Sequence, residues 1–257
     1  MSYPEMSGRV ALVTGAAGGM GSVIAARLVD NGVRVALVDR DVERLRLVAK
    51  ELDMADVFPA DVRSSAEVDD TVAQVTDRLG PIDYLVNAAG VLRVGEARDL
   101  SDEDWSLTID VNTTGVFHVT RAVVNRMADH GRGAVVTVAS NAAGTPRTGM
   151  AAYAASKAAT TIFTKVVGLE VANLGIRCNI VAPGSTETEM LSALWTDGDW
   201  RRSSIDGVAE QFRLGIPLGK VAQPADVADA VLFLLSDRAG HITMHHLTVD
   251  GGATLGH

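Results

Sequence analysis

The chain alternates short β-branched runs with longer amphipathic segments, and this alternation constrains its fold more than any other feature. Strand-like runs fall at residues 10–13, 33–38, 56–59, 82–86, 134–138, 176–181 and 247–249. Several are apolar throughout, which is typical of parallel strands covered on both faces. Helical segments separate them and end at Gly or Pro. The pattern predicts an α/β fold, a doubly wound parallel sheet of about seven strands with helices on both faces.

Composition and length fit one domain spanning residues 1–257. The single cysteine, Cys178, cannot form an internal disulfide, and no Cys/His cluster has the spacing of a metal site, so no metal is predicted. The net charge of −9 argues against a nucleic-acid partner. No apolar run approaches a membrane span, and residues 1–8 lack signal-peptide features, so we expect no membrane partner and a cytoplasmic location.

Residues 187–215 break the alternation. This segment carries Trp195 and Trp200, a small polar patch, and the basic pair Arg201 and Arg202. It is too long for an ordinary connection and follows the carboxyl end of a strand, so it is predicted to be a lid over a substrate. The alternative is a surface helical hairpin used in oligomer packing.

A glycine-rich loop follows the first strand and precedes a helix. Such a loop lets backbone N–H groups approach a pyrophosphate, which predicts a Rossmann-like dinucleotide site. The second strand ends in Asp39, whose carboxylate is placed to bind a ribose diol and to repel a 2′-phosphate. NAD is therefore predicted over NADP, although Arg40 could hold a phosphate if it swings inward. The candidate cofactor residues here are Gly15, Gly19, Met20, Gly21 and Asp39.

Polar and small residues also follow the third and fourth predicted strands. Carboxyl ends of parallel strands form the ligand-binding edge of an open sheet. The residues after either strand, taken alone, are compatible with an ordinary turn, because Asp, Asn and Gly are common in turns. Their recurrence at one edge predicts further cofactor contacts from Asp61, Val62, Asn87, Ala88 and Gly90.

A catalytic group is predicted around Tyr153 and Lys157, which lie one helical turn apart. A free phenol is a poor base at neutral pH, and we expect a neighbouring ammonium and a cationic nicotinamide ring to lower the Tyr153 pKa. Ser140, at the end of the fifth strand, could orient a substrate hydroxyl. Asn112 could anchor a water that relays the proton beyond Lys157.

Together the glycine loop, the segment 87–90, Asn112, Ser140, the Tyr153/Lys157 pair and Pro183-Gly184 resemble the short-chain dehydrogenase/reductase family over essentially the whole chain. The resemblance implies a Rossmann fold, Ser–Tyr–Lys catalysis and often a homotetramer. It also implies nicotinamide contacts from Pro183, Gly184, Thr186 and Thr188.

Other stretches resemble one group of that family, which oxidises 2,3-dihydro-2,3-dihydroxybenzoate with NAD in catechol siderophore biosynthesis. These stretches are residues 85–93, 145–150, 184–190, 211–220 and 249–252. The chain departs from that group at Asn141 and Gly144, where the group has Asp and His. The resemblance implies a small cyclohexadiene carboxylate as substrate.

The residues around the predicted catalytic group suit such an acid. Arg147, in a Pro/Gly-rich loop between Ser140 and Tyr153, could bind a carboxylate as a fork, and Arg93 is a second candidate. For either, the alternative is a surface salt bridge. Apolar walls for a ring are predicted from Leu92, Met150, Met190 and Trp195, although Met and Leu are common in ordinary cores.

Three other functions fit parts of the pattern. An amino substrate, 2,3-dihydro-3-hydroxyanthranilate, would give 3-hydroxyanthranilate, and the departures at Asn141 and Gly144 bear on that choice. An NADP-dependent oxoacyl reductase is disfavoured by Asp39 and by a glycine loop without Lys or Arg. A non-catalytic NAD-sensing protein could share the fold, but it has no need for the catalytic group.

Overall fold

The computed structural model describes residues 2–192 and 200–256. In these residues seven strands form one parallel sheet in the order β3-β2-β1-β4-β5-β6-β7, which confirms the predicted fold class. The strands are β1 (Val10–Thr14), β2 (Arg34–Asp39), β3 (Ala55–Pro59), β4 (Tyr84–Asn87), β5 (Gly133–Val138), β6 (Ile176–Pro183) and β7 (His246–Val249).

Helices connect the strands and cover the sheet. They are α1 (Gly19–Val29), α2 (Val42–Lys50), α3 (Ser65–Leu79), α4 (Asp102–Ile109), α5 (Gly115–His130), α6 (Ala151–Val171), α7 (Glu189–Ser192), α8 (Trp200–Asp206) and α9 (Pro224–Leu235). Side-chain caps begin several of them: the Asp41 carboxylate accepts from the Arg44 N–H before α2, and the Ser64 hydroxyl accepts from the Glu67 N–H before α3.

Two apolar clusters, one on each face of the sheet, form most of the core, and a small third cluster consists of Ile216, Val221 and Ala253. Along β1, Ala11 and Val13 pack with α1 and α9, whereas Val10 and Leu12 pack with α3 and α5. Alternate residues of a strand point to opposite faces, so a strand that is apolar throughout serves both clusters. This is the physical reason for the continuous apolar runs in the sequence.

The order in which successive strands are added to the sheet reverses between β1 and β4. The strands from β1 to β3 lie on one side of this point and those from β4 to β7 on the other. Thr14 and Asn87 are register partners at the carboxyl ends of the two central strands. In an open α/β sheet a crevice forms at this switch point, and ligands bind there.

One long predicted helix is interrupted in the structure. The sequence predicts a helix over residues 102–129, but a π-helical turn, Asp110–Thr114, separates α4 from α5. The Gly115 N–H donates to the Asp110 carbonyl, five residues back, so this turn is wider than its neighbours. Its five residues, Asp-Val-Asn-Thr-Thr, include no Gly or Pro, so no helix-breaking residue within the turn marks the interruption in the sequence.

The predicted lid at residues 187–215 is described in part. It contains α7 and α8, and an isolated bridge pairs Val208 with Arg213. Residues 193–199, among them Trp195, lie outside the described part of the chain.

Candidate active site

A cavity of about 400 Å³ opens at the carboxyl edge of the sheet, across the switch point. The ends of β2, β3, β4, β5 and β6 and the start of α1 contribute to its wall. Most of the sequence-predicted site residues line it: Gly15, Gly19, Met20, Gly21, Asp39, Asp61, Val62, Ala88, Gly90, Leu92, Ser140, Arg147, Met150, Tyr153, Lys157, Pro183, Gly184, Thr186, Thr188 and Met190.

The glycine loop forms a cradle at one end of the cavity. Gly15 has φ +69°, and a Cβ there would lie 2.7 Å from the Ala89 backbone, so both conformation and space require glycine. A Cβ on Gly21 would overlap the Gly15 carbonyl. At Gly19, where α1 begins, the nearest atom to a Cβ would be 3.8 Å away, on Thr188. Free helix N–H groups and open space together fit a pyrophosphate.

Asp39 lies beside this cradle at the end of β2. One carboxylate oxygen accepts from the Ala17 N–H at 3.2 Å and the other from the Asp41 N–H at 3.1 Å. These bonds fix the carboxylate at the cavity wall, where it fits the ribose diol of a dinucleotide. The exposed Arg40 also lines the cavity.

The ends of β3 and β4 form the next part of the wall. Arg63 donates twice to Asp61 and lowers the pKa of that carboxyl. At β4, the Thr14 hydroxyl accepts from the N–H groups of Ala88 and Ala89, both at 3.2 Å, and so ties the two central strands together. The predicted cofactor residue Asn87 is buried below the wall, where its amide donates to the Thr120 hydroxyl at 2.9 Å.

The predicted catalytic side chains meet near the end of β5. Ser140 lies after this strand, and its hydroxyl accepts from the Ala142 N–H at 3.1 Å and hydrogen-bonds with Tyr153. Lys157, one turn further along α6, donates from Nζ to the Val138 carbonyl at 2.9 Å. Nζ lies 5.7 Å from the centre of the Tyr153 ring. The structure therefore brings Ser140, Tyr153 and Lys157 together.

Burial controls the proton affinities of these groups. Desolvation lowers the pKa of Lys157 to about 8. Burial raises the pKa of Tyr153, and the hydrogen bond with Ser140 and the charge of Arg147 oppose that rise. Lys157 is itself desolvated and donates to the Val138 carbonyl, and the joint effect of Lys157 and a cationic nicotinamide ring on the Tyr153 pKa stays a prediction.

Asn112 lies behind the cavity wall rather than on it. It belongs to the π-helical turn; its amide oxygen accepts from the Val91 N–H at 2.8 Å, and its amide nitrogen donates to the Val91 carbonyl and the Ser156 hydroxyl. A Cβ on Gly90 would lie 3.4 Å from Asn112 Oδ1 and 3.5 Å from Lys157 Nζ. These two side chains therefore flank the same glycine.

The predicted substrate residues separate into two sets. Arg147 lines the cavity, donates to Asn141 Oδ1 at 2.9 Å, and has a pKa lowered by burial. Leu92, Met150 and Met190 also line the cavity. Arg93 lies off the wall and pairs with Asp104 at 3.1 Å, which matches the alternative of a surface salt bridge. Trp195 lies outside the described residues.

The loop after β6 forms another part of the cavity wall. A Cβ on Gly184 would lie 2.6 Å from the Asp250 side chain, so this glycine lets the loop pack against the C-terminal segment. The Thr186 hydroxyl donates to the Gly184 carbonyl, and the Thr188 hydroxyl accepts from the Leu191 N–H. These bonds shape a turn that leads into α7.

Sequence reasoning assigned no role to Arg213 and Asp250. The Asp250 carboxylate accepts from the Asn141 amide at 3.1 Å and so supports the partner of Arg147. Arg213 lines the cavity and donates to the Ser185 hydroxyl at 2.7 Å. The signals for Arg213 were its charge, between Phe212 and Leu214, and its place in the resembling stretch 211–220.

Two absences concern the described part of the chain. No helix in it is both long and apolar enough to cross a membrane. Within the same residues, no group of three or more His, Cys, Asp or Glu side chains could hold a metal ion.

Curated relatives are similar to the chain over its whole length. The 2,3-dihydro-2,3-dihydroxybenzoate dehydrogenase of Bacillus subtilis (strain 168) is 54% identical over 260 residues and covers 100% of both chains. The enzyme of the same name from Escherichia coli (strain K12) is 46% identical, with 98% of this chain and 99% of that one covered.

Solved structures share the fold. Actinorhodin polyketide ketoreductase with NADPH matches with a TM-score of 0.88 and 38% identity, covering 98% of this chain and 99% of that one. The 3-ketoacyl-(acyl-carrier-protein) reductase from Brucella melitensis, complexed with NADH, matches with a TM-score of 0.88 and 33% identity, covering 97% and 99%.

The family-level comparison agrees with the geometry. The sequence model for short chain dehydrogenases matches residues 9–199, from β1 to the segment after α7. This span contains the glycine cradle, Asp39 and the Ser140–Tyr153–Lys157 group. The chain belongs to the short-chain dehydrogenase family.

Proposed function

We propose that the chain oxidises 2,3-dihydro-2,3-dihydroxybenzoate to 2,3-dihydroxybenzoate with NAD⁺, a step of catechol siderophore biosynthesis. The observation that carries the proposal is one cavity in which the hydrogen-bonded pair of Ser140 and Tyr153 lies within the electrostatic influence of Arg147. A proton acceptor beside a fixed positive charge suits a hydroxylated carboxylate. The names of both curated relatives support this substrate.

The chain's own residues carry the proton chemistry. The Tyr153 oxygen, as phenolate, accepts the proton of the hydroxyl that is oxidised, and Ser140 donates a hydrogen bond that orients this hydroxyl. The positive charge that NAD⁺ would bring, together with Ser140 and Arg147, would offset the effect of burial and favour the phenolate. NAD⁺, when bound, supplies the hydride acceptor. Loss of a hydride from carbon and a proton from oxygen leaves a ring ketone, which tautomerises to the aromatic catechol. Aromatisation favours the direction of oxidation.

Lys157 and Asn112 continue the proton path. Because burial lowers the Lys157 pKa to about 8, this side chain exchanges its proton near the working pH of a cytoplasmic enzyme. Asn112 Oδ1 and Lys157 Nζ flank Gly90, and we assign to Asn112 the anchoring of a water that carries the proton onward. Lys157 also has the position to hold the nicotinamide ribose, since it lines the cavity.

NAD is the cofactor of this proposal. Solved relatives of the fold carry either NADPH or NADH, so the choice falls to the residues around the adenosine ribose. Asp39, fixed by two backbone N–H groups, offers two acceptor oxygens to a ribose diol and repels a 2′-phosphate. We place the reaction in the cytoplasm, where the NAD pool resides.

We further propose that residues 187–215 form a lid. Glu189, Met190 and Arg213 of this segment line the cavity. The Glu189 carboxylate accepts from Arg44 Nη2 at 2.7 and 2.6 Å, which connects α7 to α2 at the rim. Both observations support a cover over the bound ligands.

A homotetramer is the proposed assembly. Ile162, Val166 and Leu169 lie four and three residues apart on α6 and are 60%, 48% and 70% exposed. Side chains at this spacing share one helix face. An exposed apolar face of this kind supports contact with a second copy of the chain.

The substitution Tyr153→Phe tests the enzymatic assignment. It removes the proton acceptor and leaves the ring, so we expect turnover to fall by about 10²- to 10⁴-fold with NADH affinity unchanged. Steady-state rates and NADH binding by fluorescence measure the two quantities. Tyr3→Phe, far from the cavity, is the matched control. Full turnover in Tyr153→Phe would contradict the mechanism, whereas NADH binding without any turnover by the wild type would favour the non-catalytic alternative.

A further inference from the structure

Arg213 reaches the cavity from the proposed lid. It lies beyond α8, yet it lines the same cavity as Arg147 and Tyr153. Phe212, directly before it, has φ +52° and is 81% exposed. A left-handed phenylalanine is uncommon, and here it turns the chain so that the phenyl ring faces outward and the next side chain is partly buried.

The guanidinium of Arg213 hydrogen-bonds with two serine hydroxyls. Nη2 donates to the Ser185 hydroxyl at 2.7 Å and to the Ser204 hydroxyl at 3.4 Å. Its backbone is paired in both directions with Val208, at 2.9 and 3.1 Å. Ser185 follows β6, so these bonds tie the lid segment to the loop at the sheet edge and fix the guanidinium at the cavity wall.

Two positive charges therefore share this end of the cavity. Burial and the charge of Arg147 both lower the pKa of Arg213, which means that the two guanidinium groups repel each other in a partly desolvated space. Arg147 in turn donates to the neutral amide of Asn141, and the charge of the Asp250 carboxylate opposes the lowering of its pKa by burial. A bound anion relieves such repulsion and accepts the charged hydrogen bonds.

We propose that Arg213 is a specificity-determining residue that binds the substrate carboxylate together with Arg147. A carboxylate has two oxygens and about four acceptor sites, enough for two guanidinium groups. The two arginines come from different parts of the chain, so an anionic substrate also joins the lid to the catalytic loop. This inference rests on the proposed function for the identity of the substrate, but its chemistry requires only an aromatic or cyclohexadiene carboxylate.

The test compares an acid with its carboxylate-free counterpart. For Arg213→Gln we expect the KM for 2,3-dihydro-2,3-dihydroxybenzoate to rise by about 10- to 100-fold, the loss of one charged hydrogen-bonding group. The kcat/KM for 5,6-dihydroxycyclohexa-1,3-diene, which lacks the carboxylate, stays unchanged. Arg202→Gln, an exposed arginine of α8 paired with Asp206, is the control. An equal loss with both substrates would assign Arg213 a structural role and overturn the inference.

A binding measurement separates this inference from the proposed function. In calorimetry with the protein–NAD⁺ complex, we expect the wild type to bind 2,3-dihydroxybenzoate more tightly than catechol, and Arg213→Gln to reduce that preference by about 10- to 100-fold, since Arg147 remains. If calorimetry shows this preference but the protein does not oxidise 2,3-dihydro-2,3-dihydroxybenzoate, the proposed function is overturned and the role of Arg213 stands. Arg213→Met, which keeps an unbranched side chain, is measured alongside. The inference fails if either folded variant keeps the wild-type preference, or if the wild type has none.

Discussion

Lys157 is a buried, ionisable residue of the cavity wall. Its ammonium is buried, and its Nζ donates to the Val138 carbonyl. Burial disfavours the charged form and lowers its pKa to about 8 from the ordinary 10.5. The folded protein therefore holds a group that opposes folding whenever it is protonated, which is typical of sites where function competes with stability.

The sign of the resulting pH dependence follows from proton binding. Between about pH 8 and 10.5 the unfolded chain keeps the Lys157 proton and the folded chain has lost it, so this group makes stability rise with pH in that window. Lys157→Met removes the contribution. We expect the variant's stability relative to wild type to fall by about 2–3 kcal/mol from pH 7 to pH 10, measured by urea unfolding of the cofactor-free protein.

The exposed Lys50, changed to Met, is the control for that experiment, because it lies on the surface of α2. The stability of Lys50→Met relative to wild type should not change between the two pH values. If the free energy of unfolding of Lys157→Met relative to wild type is the same at both pH values, the Lys157 pKa is not lowered in the folded protein, which would contradict the structure.

Residue types and spacing predicted which catalytic side chains lie close together, but not which hydrogen-bond and ion-pair partners the site residues have. Tyr153 and Lys157 share a helix face, so their proximity follows from the sequence. The turn of Lys157 towards Val138 and the position of Asn112 behind Gly90 depend on long-range packing. Arg93 shows the same limit: its pairing with Asp104 depends on where α4 lies relative to the β4 loop.

At the scale of elements, the site is built from strand ends and the loops that follow them. The strand–glycine loop–helix unit was predictable, because the steric needs of Gly15 and Gly21 are local. The π-helical turn was not, since its five residues include no Gly or Pro to mark a break in the helix. Its place beside Lys157 makes it part of the site, as such turns often are.

The contact between α2 and α7 carries a prediction about cofactor release. Glu189→Gln removes the charged acceptor of Arg44 at the rim of the cavity. An exposed ion pair contributes little, so we expect NADH dissociation to accelerate by about twofold to fivefold. Stopped-flow fluorescence measures this rate.

Glu43→Gln is the matched control, since Glu43 pairs with Arg46 within α2 and does not reach α7. Arg44→Gln should accelerate NADH release as much as Glu189→Gln does, and the double variant no further. If Glu189→Gln and Glu43→Gln release NADH at the same rate, the ion pair has no part in holding the lid.

For the whole molecule, topology followed from the sequence because the order of elements and the handedness of parallel crossovers leave few choices. The continuous apolar runs predicted a sheet covered on both faces, and the two core clusters confirm it. Assembly could not be predicted from residue patterns in the same way, because an exposed apolar face becomes visible only once α6 is placed on the molecule.

The α6 face carries the prediction about assembly. We expect light scattering to give four times the protomer mass of 26.9 kDa for the wild type, and a smaller mass for Leu169→Asp, because a buried unpaired charge is unfavourable at an interface. Leu47→Asp, an exposed leucine of α2, should keep the wild-type mass. A monomeric wild type would contradict the proposed assembly.

The most direct test of the account is the initial rate of NADH formation from NAD⁺ and 2,3-dihydro-2,3-dihydroxybenzoate by the wild-type protein. We expect rapid formation of NADH, with 2,3-dihydroxybenzoate as product and a much lower rate with NADP⁺, because Asp39 repels the 2′-phosphate. Faster turnover of 2,3-dihydro-3-hydroxyanthranilate would keep the mechanism and contradict the substrate. No NADH from either compound would contradict the proposed function.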